Sequence, residues 1–344
     1  MQNKPSKWKQ VFRWLPGVFI SVVAVLAVLQ FIDPKELKSA FSTVDLKFLL
    51  LIFAVDVLGL VVRGKAWQTI LGKKVSYTQA FFGISEGYFL NNVLPFRAGE
   101  LGRSYLVGRS SGLGTFYVLS TIVIERAFDI AFAGMLVVLT LPYLVGMEWI
   151  KPVASIALVL VIVGLFVLFM VARNKEMLLV WANRIQNPSK LVKFILPRIQ
   201  SVIDGFSSLA KPSQFFLSLF WIGICWVVWL SVYYFAVSAI IPGAAWWWGG
   251  FVSGVLALGV AIPSAPSALG VFEATFVGAV AILGGSSASA LAYAIILHFL
   301  HFVVSAIFGV WGLLREGLSF TQMFTSFTGN GINPKAIEAA KEGE

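Results

Sequence analysis

The stretch Ala80-Phe-Phe-Gly-Ile-Ser-Glu-Gly-Tyr-Phe-Leu-Asn91-Asn92-Val-Leu-Pro95-Phe-Arg97-Ala-Gly99-Glu100-Leu-Gly102-Arg103 decides how this chain is read. Its apolar limb is about 15 residues long, short of the roughly 20 that cross a hydrocarbon core. It ends in two asparagines, a proline and a burst of charge. A second stretch, Val260-Ala-Ile-Pro263-Ser-Ala-Pro266-Ser-Ala-Leu-Gly270-Val-Phe-Glu273, breaks another long apolar run with two prolines and a glycine. Pro95 and Pro266 are each followed four residues later by glycine (Gly99, Gly270), with a glutamate close behind (Glu100, Glu273). Their separation, 266 − 95 = 171 residues, is close to half of the 344-residue chain. Two Gly/Pro-interrupted segments in corresponding positions of two halves are the sequence mark of an inverted-repeat transporter.

Composition excludes a soluble fold. The chain is 58% hydrophobic and 12% charged, with a mean hydropathy of +0.87, whereas soluble domains carry about a quarter charged residues. Apolar runs with charged or Pro/Gly boundaries predict full spans near 12–32, 47–68, 114–142, 152–172, 214–241 and 287–314, and broken segments near 79–110 and 246–284. The expected fold is therefore an all-α polytopic integral membrane protein: about six full spans plus two Pro/Gly-broken re-entrant helical hairpins in an inverted repeat. Residues 1–316 form a single transmembrane domain with halves 12–172 and 214–316 joined by a basic cytoplasmic linker, 173–213; residues 317–344 form a polar cytoplasmic tail. Residues 15–31 follow a basic start and read as an uncleaved signal-anchor helix.

The net charge of +10 would suggest nucleic acid in a soluble protein, but here the positive-inside rule accounts for it. Lys4, Lys7, Lys9 and Arg13 precede the first span, Lys73 and Lys74 follow the second, and Arg173, Lys175, Arg184, Lys190, Lys193 and Arg198 fill the linker. Both termini are expected in the cytoplasm, and the two broken segments enter from opposite faces. Trp246, Trp247 and Trp248 suit a membrane interface. Cys225 stands alone, so no internal disulfide forms. No nucleic acid, metal or cofactor is expected.

Ionisable residues at membrane depth are candidates for function. Arg97, Glu100 and Arg103 fall roughly on one face of a helix starting near Pro95, where exposed amides and the dipole attract anions. With Asn91, Asn92 and Gly99 they make an expected phosphate-binding mouth. Glu125 and Asp129 share a face of a long apolar span, and Arg126 pairs at i+3 with Asp129. Together with Glu100, Glu86 and Glu273 these are candidate gating or proton sites. Pro95, Pro263, Pro266 and Gly270 are the helix breaks. Arg63 lies near enough to a helix end to snorkel. His298 and His301, one turn apart, read as helix-packing donors rather than metal ligands.

The ordered set Asn91-x-x-Leu-Pro95-x-Arg97-x-Gly99-Glu100-x-x-Arg103, Glu125-Arg126-x-x-Asp129 and Pro263-x-x-Pro266-x-x-x-Gly270-x-x-Glu273 resembles the flippase-like membrane domain of lysylphosphatidylglycerol synthases, over roughly residues 10–316. The resemblance implies lipid translocation. With no soluble aminoacyl-transferase domain after residue 316, it also implies the free-standing form.

The expected function is that of a lipid translocase in the inner membrane, without an enzymatic step. It would move a phosphate-containing lipid or lipid-linked glycan between leaflets by alternating access, with a coupling ion or proton. Two readings stay open: an intramembrane transferase using Glu100 or Asp129 as base, and an ion-coupled small-solute transporter.

Overall fold

In lipid every backbone amide must be paired within the chain, and the helix does this residue by residue. The computed structural model describes residues 33–42, 44–94, 98–145, 150–177, 190–262 and 264–316, with isolated positions 19, 22, 23 and 26 before them. Every regular element among the described residues is helical. The order is α1 (Pro34–Ser42), α2 (Leu46–Ile70), α3 (Tyr77–Val93), α4 (Gly99–Ser110), α5 (Thr115–Val145), α6 (Ile150–Arg173), α7 (Lys190–Phe206), α8 (Pro212–Ile240), α9 (Trp246–Gly259), α10 (Val271–Ile282) and α11 (Ser287–Arg315).

The spans expected at 47–68, 114–142, 152–172, 214–241 and 287–314 are helices α2, α5, α6, α8 and α11. The apolar parts of α6, α8 and α11 are long and apolar enough to cross a membrane. Helices α2 and α5 have 25 and 31 residues, about 37 and 46 Å at 1.5 Å per residue, but they carry buried charges. The expected span 12–32 lies outside the described residues apart from the isolated positions, and so does the tail 317–344. Within the expected linker, residues 190–206 form α7, which packs on α5. The approach is tight: a Cβ on Gly205 would stand 2.7 Å from the Tyr117 carbonyl.

Both broken segments fold back on themselves. Helix α3 begins with a reciprocal cap between Ser76 and Gln79 and ends at Leu94. Residues 95–97, including Pro95 and Arg97, lie outside the described residues, and α4 resumes at Gly99. Small residues let the two limbs meet: a Cβ on Gly83 would strike Val107, one on Gly87 would press on Arg103, and one on Gly99 would lie 2.5 Å from the Asn91 amide. The order 83–107, 87–103, 91–99 is antiparallel. Helices α9 and α10 likewise pack together, with Gly259 against Thr275. The limbs have 17, 12, 14 and 12 residues, at most about 26 Å each, under the roughly 30 Å hydrocarbon core.

Helix packing follows a recurring scheme. Helix α3 packs against α2, α4 and α11, while α9 packs against α8, α10 and α5. Helices α2 and α8 pack on each other, α4 lies on α5 as α10 lies on α11, and α1 lies on α11 as α7 lies on α5. The starts of α4 and α10, and of α5 and α11, are both 172 residues apart (99 to 271, 115 to 287). Glycines again set the spacing: Gly309 of α11 presses on Phe89 and the Ser85 carbonyl of α3, and Gly254 of α9 presses on Val137 and the Ala133 carbonyl of α5.

Candidate functional site

Three helices, α2, α4 and α5, each bring ionisable side chains to one buried cluster. Arg63 of α2 is fully buried. Its Nη1 donates to Asp129 Oδ1 at 2.8 Å, and Nη2 donates to Asp129 Oδ2 at 2.6 Å and to Glu125 Oε1. Arg103 of α4, also buried, donates from Nη2 to Glu125 Oε2 at 2.5 Å. Glu125 is thus clamped between two guanidinium groups. Each guanidinium also faces an indole: Arg63 lies 5.2 Å from the Trp229 ring centre and Arg103 lies 4.1 Å from that of Trp67, favourable cation–π placements. Arg126 completes the set. Its Nη1 donates to Asp129 Oδ2 at 3.1 Å, and its Nε lies 2.8 Å from Glu100 Oε1.

This geometry changes several sequence expectations. Arg63 does not snorkel; α2 is walled in by α3, α5 and α8, and its guanidinium meets two carboxylates before it could reach an interface. Arg103 is paired with Glu125 and is not among the described residues that line the cavity. Gly99 is buried against the backbone of α3, where it serves close packing. Glu100 neutralises Arg126 from the neighbouring helix rather than Arg103 on its own. The i+3 pair of Arg126 and Asp129 forms as expected.

Beside the cluster lies a cavity of about 410 Å³ bounded by α2, α3, α5, α8, α9, α11 and the second break. Asn91 and Asn92 reach it from the end of α3, Arg126 and Asp129 from α5, Asp56 from α2, and Ser264 and Ser267 from the break. His298 and His301 of α11 face it from the opposite wall, with Tyr88, Trp226, Trp229, Tyr233 and Phe272 between. Among the described residues that line the cavity, Arg126 is the one arginine or lysine.

The second break is held by hydrogen bonds. Pro263 lies outside the described residues. Pro266 opens a single 3-10 turn, Pro266–Ala268, in which Ser267 and Ala268 have φ of 60° and 55°, the left-handed region that side chains with a Cβ avoid. Gly270, with φ 79°, precedes α10, and its amide donates to Glu273 Oε2 at 2.7 Å. The other carboxylate oxygen of Glu273 meets His298 Nδ1 at 2.6 Å, and His298 Nε2 meets Ser267 Oγ at 2.7 Å. Ser267 Oγ donates to Asn92 Oδ1 at 3.1 Å, tying the second break to the end of the first limb. His301 Nδ1 lies 2.7 Å from Asp56 Oδ2. The two histidines expected to pack helices are each backed by a carboxylate from another element. Two carboxylates fix them apart; among the described residues no group of three or more side chains suited to a metal occurs.

Glu86 is buried on α3 against Gly312 of α11, and neither carboxyl oxygen has a hydrogen-bond partner among the described residues. It does not line the cavity. Sequence reading missed the roles of Asp56, Ser267, His298 and His301. The available signal was that Asp56 and Arg63, two turns apart in an apolar helix, each required a partner elsewhere.

A family profile described as the lysylphosphatidylglycerol synthase TM region matches residues 14–309. The chain belongs to that family. Among curated proteins it is similar to the UPF0104 membrane protein MJ1595 of Methanocaldococcus jannaschii, 22% identical over 209 residues, covering 59% of this chain and 60% of that relative. The chain therefore spans less than two thirds of the curated relative it matches. Membership in the lysylphosphatidylglycerol synthase TM family fits a multi-pass helical membrane protein, and the cavity is where its polar chemistry converges.

Proposed function

We propose that this chain is a lipid translocase of the lysylphosphatidylglycerol synthase TM family. It would hold a phosphate-bearing headgroup in the cavity while the lipid tails stay in the bilayer. The observation that carries this reading is Arg126 at the wall of a largely apolar cavity set between two broken helices. A planar guanidinium with asparagine amides beside it suits phosphate oxygens. Asn91 and Asn92 are the further headgroup contacts. Arg103 takes the part of a positioning residue, holding Glu125 so that Arg63 and Asp129 stay fixed.

The packing scheme supports an inverted repeat, with a boundary that differs from the sequence expectation. The second half is drawn to begin with α6, as the first would begin with the span near 12–32. Each half then runs as span, short helix, span, re-entrant hairpin, span. Three crossings per half is an odd number, which inverts the second half. The two hairpins enter from opposite faces, and both termini lie in the cytoplasm of an inner membrane. Exchange of the α3–α11 and α5–α9 contacts between two such halves is the alternating-access movement. No covalent step is required.

The test is headgroup accessibility in proteoliposomes, using phosphatidylglycerol labelled with a fluorophore quenched from one side. Arg126→Gln is expected to slow exchange at least tenfold, with Arg126→Lys partly active and both variants folded. Unchanged exchange in Arg126→Gln overturns the reading, and recovery of a chemically altered lipid favours a transferase.

A further inference from the structure

The hydrogen directions around the second break can be assigned from one end. Ser305 donates its hydroxyl to the Phe302 carbonyl at 2.9 Å, so it accepts from Asn92 Nδ2 at 2.8 Å. That sets the amide: Asn92 Oδ1 is the acceptor facing Ser267, and the Ser267 hydroxyl donates to it. Ser267 has one hydrogen, so its contact with His298 Nε2 is filled by a hydrogen on the imidazole. At the other end, Glu273 Oε2 already accepts from the Gly270 amide. One proton then remains, shared between His298 Nδ1 and Glu273 Oε1.

We propose that the Glu273–His298 pair is a proton-binding site whose occupancy holds Ser267 of the second break to Asn92 of the first limb. The inference rests on the alternating-access reading for its role in transport, and on hydrogen-bond directions for its existence. When the shared proton leaves to water in the cavity, an imidazole with hydrogen only on Nε2 would present Nδ1 and the carboxylate as two acceptors 2.6 Å apart. The imidazole avoids this by placing its hydrogen on Nδ1. Nε2 becomes an acceptor, and the Ser267 hydroxyl turns from Asn92 to His298. The link between the breaks is lost, and the left-handed backbone at Ser267 and Ala268 loses the bond that holds it. Proton binding closes the latch and proton release opens it.

The acid, histidine and serine also stand in the order of a nucleophile with its base. In the closed arrangement, however, Ser267 gives its hydrogen to Asn92 and His298 Nε2 carries a hydrogen of its own, so no base faces the hydroxyl there.

The charged and titratable groups around the latch come from several elements. Glu273 of α10 touches His298 directly, with the Phe272 ring centre 4.7 Å away. One turn on, His301 takes Asp56 of α2 and faces Tyr233 of α8. Arg126 and Asp129 of α5 and Tyr88 of α3 share the cavity. The Arg126–Asp129–Glu100 group is paired internally, and His298 and His301 are the imidazoles at the cavity wall.

Hydrogen exchange of residues 264–270, read by mass spectrometry on the full chain in nanodiscs, tests the latch. Corrected for the intrinsic rate, exchange is expected to rise about threefold to tenfold from pH 5 to pH 8, the worth of one neutral hydrogen bond. In His298→Gln the rise should vanish. In Asn92→Ala the segment should exchange fast at both pH values with the Glu273–His298 pair intact, which also covers misfolding of the first variant. A pH-independent wild type, or a rise that survives in either variant, overturns the proposal. The readout needs no lipid movement, so failure of the translocase reading leaves it standing, and its own failure leaves that reading standing.

Discussion

Two polar networks share one membrane body and are built from opposite materials. Around Glu125 the cations are arginines: Arg63 of α2 and Arg103 of α4 are buried against carboxylates of α5. Around Glu273 the partners are histidines, each on one carboxylate and each at the cavity wall. Arginine stays charged at any pH a cell meets, so the first network has one arrangement and acts as a fixed post. Histidine can lose its charge and exchange the hydrogen between its two nitrogens, so the second can rearrange while its carboxylates keep hydrogen-bond donors. The difference separates a part that holds from a part that moves.

The comparison is broken most directly at the post. Glu125→Gln leaves Arg63 and Arg103 without their shared carboxylate, and removing one partner of a buried pair costs about 3–5 kcal/mol. Thermal unfolding in mild detergent should drop sharply, and a midpoint within a degree of wild type would show that the cluster is not a post. Gly99→Ala comes next. Its Cβ would stand 2.2 Å from the Gly87 carbonyl, and overpacking of this kind costs about 1–3 kcal/mol. The hairpin of α3 and α4 should splay, read as faster exchange in 87–103.

Asp56→Asn should be milder. An amide can still accept from His301, so the loss is about 1 kcal/mol, and a cost equal to that of Glu125→Gln would erase the distinction between the two networks. The smallest effect is expected at Ala268→Gly. Relief of a left-handed alanine should raise stability by about 0.5–1 kcal/mol, less what the freer unfolded chain takes back. A lower melting point would place that residue outside the strained turn.

Much of this was legible in the sequence because it follows from local pattern. Hydropathy placed the helices to within a few residues, and proline with glycine placed both breaks. The Arg126–Asp129 contact was readable because it lies on one helix. The partners of Arg63, Arg103, His298 and His301 were not, since each sits on another helix: Arg63 and Asp129 are 66 residues apart, and His301 and Asp56 are 245. Spacing along the chain can show that a buried charge needs a counter-ion, but only the packing of helices says which one. Arg103 is one such case: it stands beside the first break, and its partner Glu125 comes from α5.

Helix α2 belongs to both networks. It sends Asp56 to His301 and, seven residues on, Arg63 to Glu125 and Asp129, about 10 Å along one rod. The two networks are therefore joined in series by a beam. A tilt of α2 that slackens one end would load the other, so a displacement at one wall of the cavity would reach the other network without any chain of intermediaries.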